Sequence, residues 1–548
     1  MQKHTRRRIR LLVPLLGALA FALPTTTVAA ATGPGGWDHL GNGGALAVLT
    51  GTPAVLYPVG STQLIVGGVF ANVGGHPNAD NLASWNGSAW NAFPGATPLN
   101  GGVRAIAFDG SHLVVGGVFT DAGGNADADF LARLGDSGWE PFCNGAGGIH
   151  AAVNALQVIG STLYIGGAFQ NGAGLAAGDY LLACDLTTGT PSSTVASELD
   201  GFSGGVHTLG ADTNGNLYAG GGYSNLAQIP QADDVAYLDT TASGSPGSWH
   251  AMGSGPGAGG GAINGGFVRS LTVRGTDVYV SADALDIAGI ADADHVAKWD
   301  GTSWSALGAN TAGTNGWFST STFIYGMTTF GPLVFVTGSF QNANGDPRAD
   351  QIAYFDGAAW HPVGSDGNGN GPWIGDGLTL AMFGGDLFAG GGFTAAGGDS
   401  RAKFLASFSP VRPDARIGLH SGGPFTGSNV YSALGTGERR TISVQRGHAG
   451  TLFFDVQNDG LTDRAFKLDG NGSARGFTIK YFRGTANVTS AVRAGTYTTR
   501  TLSPGQHVTL KMVVRLGANT ARAATFVTKA KSGPGRPVDA AKARVRAL

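Results

Sequence analysis

Leu64-Ile65-Val66-Gly67-Gly68-Val69-Phe70 is the stretch on which the fold turns. Three aliphatic residues, two of them β-branched, open a β-rich run that ends in small residues. The pattern returns at 113–119, 163–169 and 217–223, in degenerate form at 278–284, and again at 334–340 and 387–393. The positions equivalent to Gly67 are 116, 166, 220, 281, 337 and 390, which gives spacings of 49, 50, 54, 61, 56 and 53 residues. Periods of that length belong to the blades of a propeller rather than to shorter solenoid repeats.

Working outward, each unit passes through a Gly/Asn/Asp loop into a short strand such as Leu82-Ala83-Ser84-Trp85 or Val296-Ala297-Lys298-Trp299. A tight turn follows, Asn86-Gly87 or Asp300-Gly301, and reverses a hairpin. The next strand opens with Trp90, Trp139, Trp249, Trp304 or Trp360. Another apolar strand precedes each core, as at 103–108 and 268–273. Four strands per unit form a meander that cannot cover both its faces, so neighbours must stack. The seventh unit lacks a Trp-led strand, and Trp37-Asp38-His39-Leu40-Gly41 resembles Trp304-Ser305-Ala306-Leu307-Gly308. The expectation is an all-β chain: a seven-bladed β-propeller closed by that N-terminal strand, followed by a small β-sandwich. The third unit has no Trp-led strand and the fifth has lost its Gly pair, so both are expected to be irregular.

Units reading Leu-Tyr-Val-Gly-Gly-x-Phe, Ala-x-Trp-Asp-Gly and Trp-x-x-Leu-Gly resemble kelch-type propellers. In particular they resemble the repeat of the cortical protein marker for cell polarity, over residues 37–408. That resemblance implies architecture and leaves activity open, because propellers host many functions.

The 548 residues exceed one ordinary core, and 94 of them are Gly, which suits many tight turns. Arg6, Arg7, Arg8 and Arg10 precede a short apolar run at 11–22 and the small residues Val28-Ala29-Ala30. Residues 1–31 therefore read as a signal peptide, of the general secretory type in preference to the twin-arginine type, with no transmembrane span in the mature chain. The expected location is secreted or cell-surface. Export leaves Cys143 and Cys184 open either to a disulfide or to two separate buried thiols.

Expected domain limits are 32–410 for the propeller and 411–548 for the second domain. Residues 31–410 hold 8 Lys+Arg against 29 Asp+Glu, net −21, whereas 411–548 hold 21 against 7, net +14. Strands are expected at 450–457, 476–482, 507–515, 523–530 and 538–546, and the region resembles the immunoglobulin-like β-sandwiches of secreted bacterial proteins. Its basic face suits an anionic wall polymer, lipid head groups or the acidic propeller, or is simply solvated. The acidity of the larger part argues against nucleic acid.

Alternate strand connections are long and share one face, where a glycan or protein ligand is expected. Three features fall there. Asp80, Asp129, Asp233, Asp294 and Asp350 stand just before the third strands, with Asp179 read as offset by one. Such Asp residues usually hold turn N–H groups, and a ligand ring is the alternative. Trp317 and Trp373 lie in long connections and suit sugar stacking, or else plug the loops. Asp366, Asn368 and Asn370 begin like a Ca²⁺ loop but lack its closing Glu, which favours a polar turn. No other cofactor is implied. Gly201-Phe202-Ser203-Gly204-Gly205 and the Gly-rich stretch 255–260 match catalytic or dinucleotide patterns in letters alone. The expectation is a non-catalytic binding or scaffold protein, and the rival is an extracellular carbohydrate-active enzyme on the same scaffold: hydrolase, lyase or galactose-oxidase-like.

Overall fold

The structure is a computed structural model. It describes residues 36–40, 49–93, 95–193, 195, 205–240, 248–256, 258–263, 265–308, 316–318, 322–366, 368–428, 430–517, 521–533 and 538–548. The expected leader, Gly41, residues 201–204, Gly257 and Gly367 lie outside the described residues. The fold is all-β. Among the described residues, no helix is long and apolar enough to cross a membrane.

The repeat becomes seven four-stranded antiparallel sheets among the described residues. The first is typical: Thr52–Val59, Gln63–Val69, Leu82–Trp85 and Trp90–Asn91, paired in chain order. The seventh takes three strands from Gly377–Phe383, Asp386–Gly391 and Leu405–Phe408, and its fourth is Trp37–Asp38. Trp37 sits opposite Phe408, in the register that sets Trp304 opposite Trp299 and Trp360 opposite Phe355. Its indole N–H donates to Val363 O at 2.8 Å, reaching the segment that follows the sixth sheet just as Trp360 reaches Leu307 O at 3.1 Å after the fifth.

The units expected to be irregular keep four strands. In the third, Pro191–Ser192 pairs with Ala183 and Cys184 where other units place a Trp. In the fifth, Ser281 replaces the first Gly, and its hydroxyl donates to Ile324 O on the next sheet at 3.0 Å.

The Gly pair has a packing reason. A Cβ on Gly67 would lie 2.7 Å from Val103 on the second sheet, so only Gly admits that neighbour. In the sixth unit Thr337 stands at this position and meets Gly377 instead of Val, which reverses the large and small partners. Gly390 of the seventh sheet packs on Pro53 of the first, where a Cβ would come within 2.9 Å of the Pro53 ring. Leu56, Leu64 and Val66 of the first sheet share one core with Ala381, Phe383 and Phe388 of the seventh. Cys143 and Cys184 are joined, with their sulfurs 1.94 Å apart, and tie the segment after the second sheet to the third strand of the third.

The chain then passes through Arg412, which is buried over Phe408 (4.2 Å from the Tyr431 ring, 5.6 Å from Phe408), into two further sheets. One has six strands, among them Pro413–Gly418, Ala449–Asn458, Phe477–Arg483 and His507–Leu516. The other has five, among them Arg439–Val444, Lys467–Gly470, Ala523–Lys531 and Val538–Ala547. They enclose one core of Leu452, Phe454, Leu510, Phe526, Val545 and their neighbours.

Candidate functional site

In each of the seven sheets, the first strand and the second strand meet at a β-bulge near the start of the first strand. The bulged residues are Ala54, Arg104, Asn154, His207, Arg269, Tyr325 and Leu378. A bulge leaves one residue outside the ladder and re-aims its side chain. The residue before each bulge is packed inward: Pro53, Val103, Val153, Val206, Val268, Ile324 and Gly377 are all buried. The bulged residues are at least partly exposed. All seven sit at the strand ends that carry the long connections.

The bulged residues are linked from sheet to sheet. Arg104 donates to Asn154 Oδ1 at 3.0 Å, and Asn154 donates to Val206 O at 3.3 Å. His207 Nδ1 lies 3.3 Å from Val268 O. Arg269 is forked on Asp283 through two charge-assisted hydrogen bonds, which fixes its plane. That plane lies 4.8 Å from the Phe323 ring centroid and 5.4 Å from Tyr325. Phe323 and Tyr325 are roughly parallel at 6.3 Å, and Phe267 lies 6.0 Å from the His207 ring. Phe267 and Phe323 are each 38 % exposed, a large apolar surface to leave in water beside a fixed Arg–Asp pair. The fourth to sixth sheets therefore present His207, Phe267, Arg269, Asp283, Phe323 and Tyr325 together. Ala54 on the first sheet and Leu378 on the seventh are the apolar members of the set. Flat rings, a rigid guanidinium and a carboxylate offer stacking, donors and an acceptor to one polar ligand.

The residues expected to bind fare differently. Asp80, Asp129, Asp179, Asp233, Asp294 and Asp350 each accept the backbone N–H of the residue eight positions earlier through Oδ1, at 2.6–3.0 Å. Those N–H groups belong to Asn72, Asp121, Asn171, Asn225, Asp286 and Asn342, all in the left-handed region. The carboxylates fasten turns, and Asp179 occupies the same place as the others instead of being offset. Burial raises Asp233 and Asp294 above the usual carboxylate range. In the seventh unit Lys403 stands in that position. Its loop instead offers Asp399 to His39 at 2.9 Å and to Arg401, which holds the N-terminal segment.

Trp317 and Trp373 are buried, at 8 % and 4 % exposure. Trp373 stacks on Phe393 at 4.6 Å and meets Trp37 edge-on at 4.8 Å, so its ring is already covered by protein. Trp317 lies in the core shared by the fifth and sixth sheets. Both plug loops rather than present a stacking platform. Asp366 accepts the N–H groups of Asn368 and Asn370 and the Asn370 side-chain amide, bonds that hold its carboxyl down at about 2. This is a self-closed turn, and among the described residues no group of three or more His, Cys, Asp or Glu is arranged to hold a metal ion.

The bulged residues escaped the reading of the sequence, although a signal was present. Val-Arg-Ala, Val-Asn-Ala, Val-His-Thr, Val-Arg-Ser and Ile-Tyr-Gly keep a β-branched residue before and a small one after, while the middle residue varies.

No protein-family model matches the chain, and no curated protein does. Solved structures match weakly. The FixG-related protein from Vibrio parahaemolyticus aligns with 18 % of this chain and 78 % of its own, at 13 % identity and a TM-score of 0.14. The secreted serine protease VesC from Vibrio cholerae aligns with 20 % of this chain and 22 % of its own, at 16 % identity and 0.15. The VesB protease from Vibrio cholerae aligns with 63 % and 89 %, at 9 % identity and 0.14. At such scores the fold and the site rest on this chain's own strands and side chains.

Proposed function

We propose that the protein is an exported, non-catalytic binding or scaffold protein, a seven-bladed kelch-like β-propeller with a basic immunoglobulin-like β-sandwich after residue 410. The propeller reading is supported by the packing of each four-stranded sheet on the next and by the contact of Gly390 with Pro53. The pairing of Trp37 with Phe408 supports closure by the N-terminal strand. Under this reading the seven bulged residues surround the mouth of the central channel on the long-loop face. The ligand meets the fourth to sixth blades there.

One observation carries the proposal: at equivalent positions on a repeated scaffold, the side chains vary in chemistry and are at least partly exposed. A residue needed only to build the repeat would recur, as Asp80 and its equivalents do. A glycan is the ligand class that best fits rings beside a fixed Arg–Asp pair. The test is a glycan array probed with the chain beginning at residue 32, alongside Arg269→Ala and Tyr325→Ala. Binding by the intact chain that drops about tenfold or more in both variants, a loss of about 1.4 kcal/mol, is the expected result. No glycan bound by the intact chain removes the glycan assignment.

A further inference from the structure

Both sheets of the C-terminal region carry cations on their outer sides, Lys480, Lys511 and Arg515 on the six-stranded one, but they differ in how those cations meet acids. On the outer side of the six-stranded sheet, Arg416 is forked on Asp455, and His507 Nδ1 lies 2.8 Å from the other oxygen of that carboxylate. On the five-stranded sheet, strand alternation places Arg439, Lys542, Arg544, Arg546, Lys529, Lys531 and Lys467 together on the side away from the core. Asp469 is the acid on that side, and Lys531 takes it at 2.6 Å. Arg439 stands directly opposite Lys542, and Lys467 directly opposite Lys531. Like charges in directly opposed positions weaken a sheet, so folding by itself disfavours the arrangement. Arg439, Arg475 and Arg544 also line a groove of about 420 Å³ with Ala474, Ala523 and Thr525. Among the described residues, no salt bridge engages those three arginines.

We infer that this sheet face docks a linear polymer of repeating phosphodiesters. Alternate residues on a strand are about 7 Å apart, so Lys542, Arg544 and Arg546 form a row of cations at the pitch of successive phosphates in an extended polymer. Guanidinium groups fork onto phosphate oxygens, which suits the groove. An anionic membrane is the weaker match. Among the described residues, the strands of this face carry no exposed aromatic side chain to seat in an interface, and their one exposed large aliphatic side chain is Leu548 at the strand end. The acidic remainder of the chain would be repelled by a broad anionic surface, whereas a single polymer strand meets only the basic face. The inference stands apart from the long-loop site and shares no residue with it.

The test uses the full chain from residue 32 and immobilised synthetic poly(glycerol phosphate), with binding followed across a salt series. The variant Arg439→Gln/Lys542→Gln/Arg544→Gln is compared with Lys480→Gln/Lys511→Gln/Arg515→Gln, which removes the same charge from the other sheet. The first is expected to weaken binding about tenfold or more and to flatten the salt dependence, because fewer counterions are released. The second is expected to weaken it less than about threefold. Equal losses would overturn the assignment to this face. Phosphatidylglycerol vesicles and duplex DNA run in parallel, and tighter binding to either than to the polymer would overturn the choice of ligand. A melting temperature in the first variant equal to or above that of the parent confirms that the loss is not one of folding.

Discussion

The first 410 residues and the last 138 solve the same problem, holding a β-structure together, with different chemistry. The seven-sheet region repeats a few backbone-directed devices. An Asp pins a left-handed turn residue eight positions earlier, and Trp indoles at 139, 249, 304 and 360 reach a carbonyl in the segment that follows the preceding sheet. Its acids are mostly tied to turns. The C-terminal region buries carboxylates instead: Asp414, Glu438, Asp455 and Asp539 are all at 1 % exposure or less. Asp539 accepts N–H groups from Ala415, Ser432 and Ala540 and lies beside Glu438. With four of its seven acids buried, the C-terminal region leaves a surplus of cations on the outer sides of its sheets. Where a chain places its acids therefore decides which surface remains charged.

The contrast can be broken at its joint. All ten Trp residues precede residue 374, so Trp fluorescence reports the seven-sheet region and far-ultraviolet circular dichroism reports both regions. Trp37→Ala removes a fully buried ring, its bond to Val363 and its contacts with Trp373 and Phe408. It should cost about 3–5 kcal/mol in the fluorescence-detected urea transition. If the N-terminal segment is mere decoration, that transition will not move.

A smaller effect of opposite sign is expected in the other region. Burial, then the neighbouring Asp539, push Glu438 up to about 11, so it is protonated in the folded state at neutral pH. Unfolded, it ionises near its usual value of about 4.5. The folded state thus binds the extra proton between those values, and stability falls as pH rises from about 4.5 through neutrality. Asp539, raised to about 7 chiefly by burial, acts in the same direction. Glu438→Gln keeps a hydrogen-bond donor and removes the proton requirement. At pH 7 it should stabilise the C-terminal region by about 1–3 kcal/mol and flatten this pH dependence in thermal melts. Destabilisation at pH 7 would show that Glu438 acts there as an anion.

The smallest change tests the repeated turn. Asp129→Ala leaves the Asp121 N–H without its acceptor and should cost about 1 kcal/mol in the fluorescence transition. Ligand binding at the Arg269 cluster should be unchanged. Lost binding with unchanged stability would return the carboxylates to the site.

Much of the strand pattern could be read directly. The strand expected at 507–515 is His507–Leu516, and that at 538–546 is Val538–Ala547, because apolar residues alternate there over a long run. Pro413–Gly418 and Arg439–Val444 were not anticipated, since Asp414, Arg416 and Arg440 interrupt the apolar alternation and are accommodated only by partners far along the chain. The candidate site was hidden for a related reason. A search for recurring residues finds Asp80 and its equivalents, which build the repeat, and passes over Arg104, Asn154, His207, Arg269 and Tyr325, which differ within it. Trp317 and Trp373 carry no mark in the sequence to say whether protein or ligand covers them.

By itself the sequence determined the local periods: where most strands run, where small residues recur within them, and that acids and bases are split between two unequal regions. Those are short-range matters, set by backbone sterics and by alternation along a few residues. Only the tertiary structure decided that Trp37 sits beside Phe408, that Arg439 faces Lys542, and that Arg269 lies over Phe323. The physical reason is that charge, stacking and burial act through space at a few ångströms, between groups that the chain separates by tens to hundreds of residues.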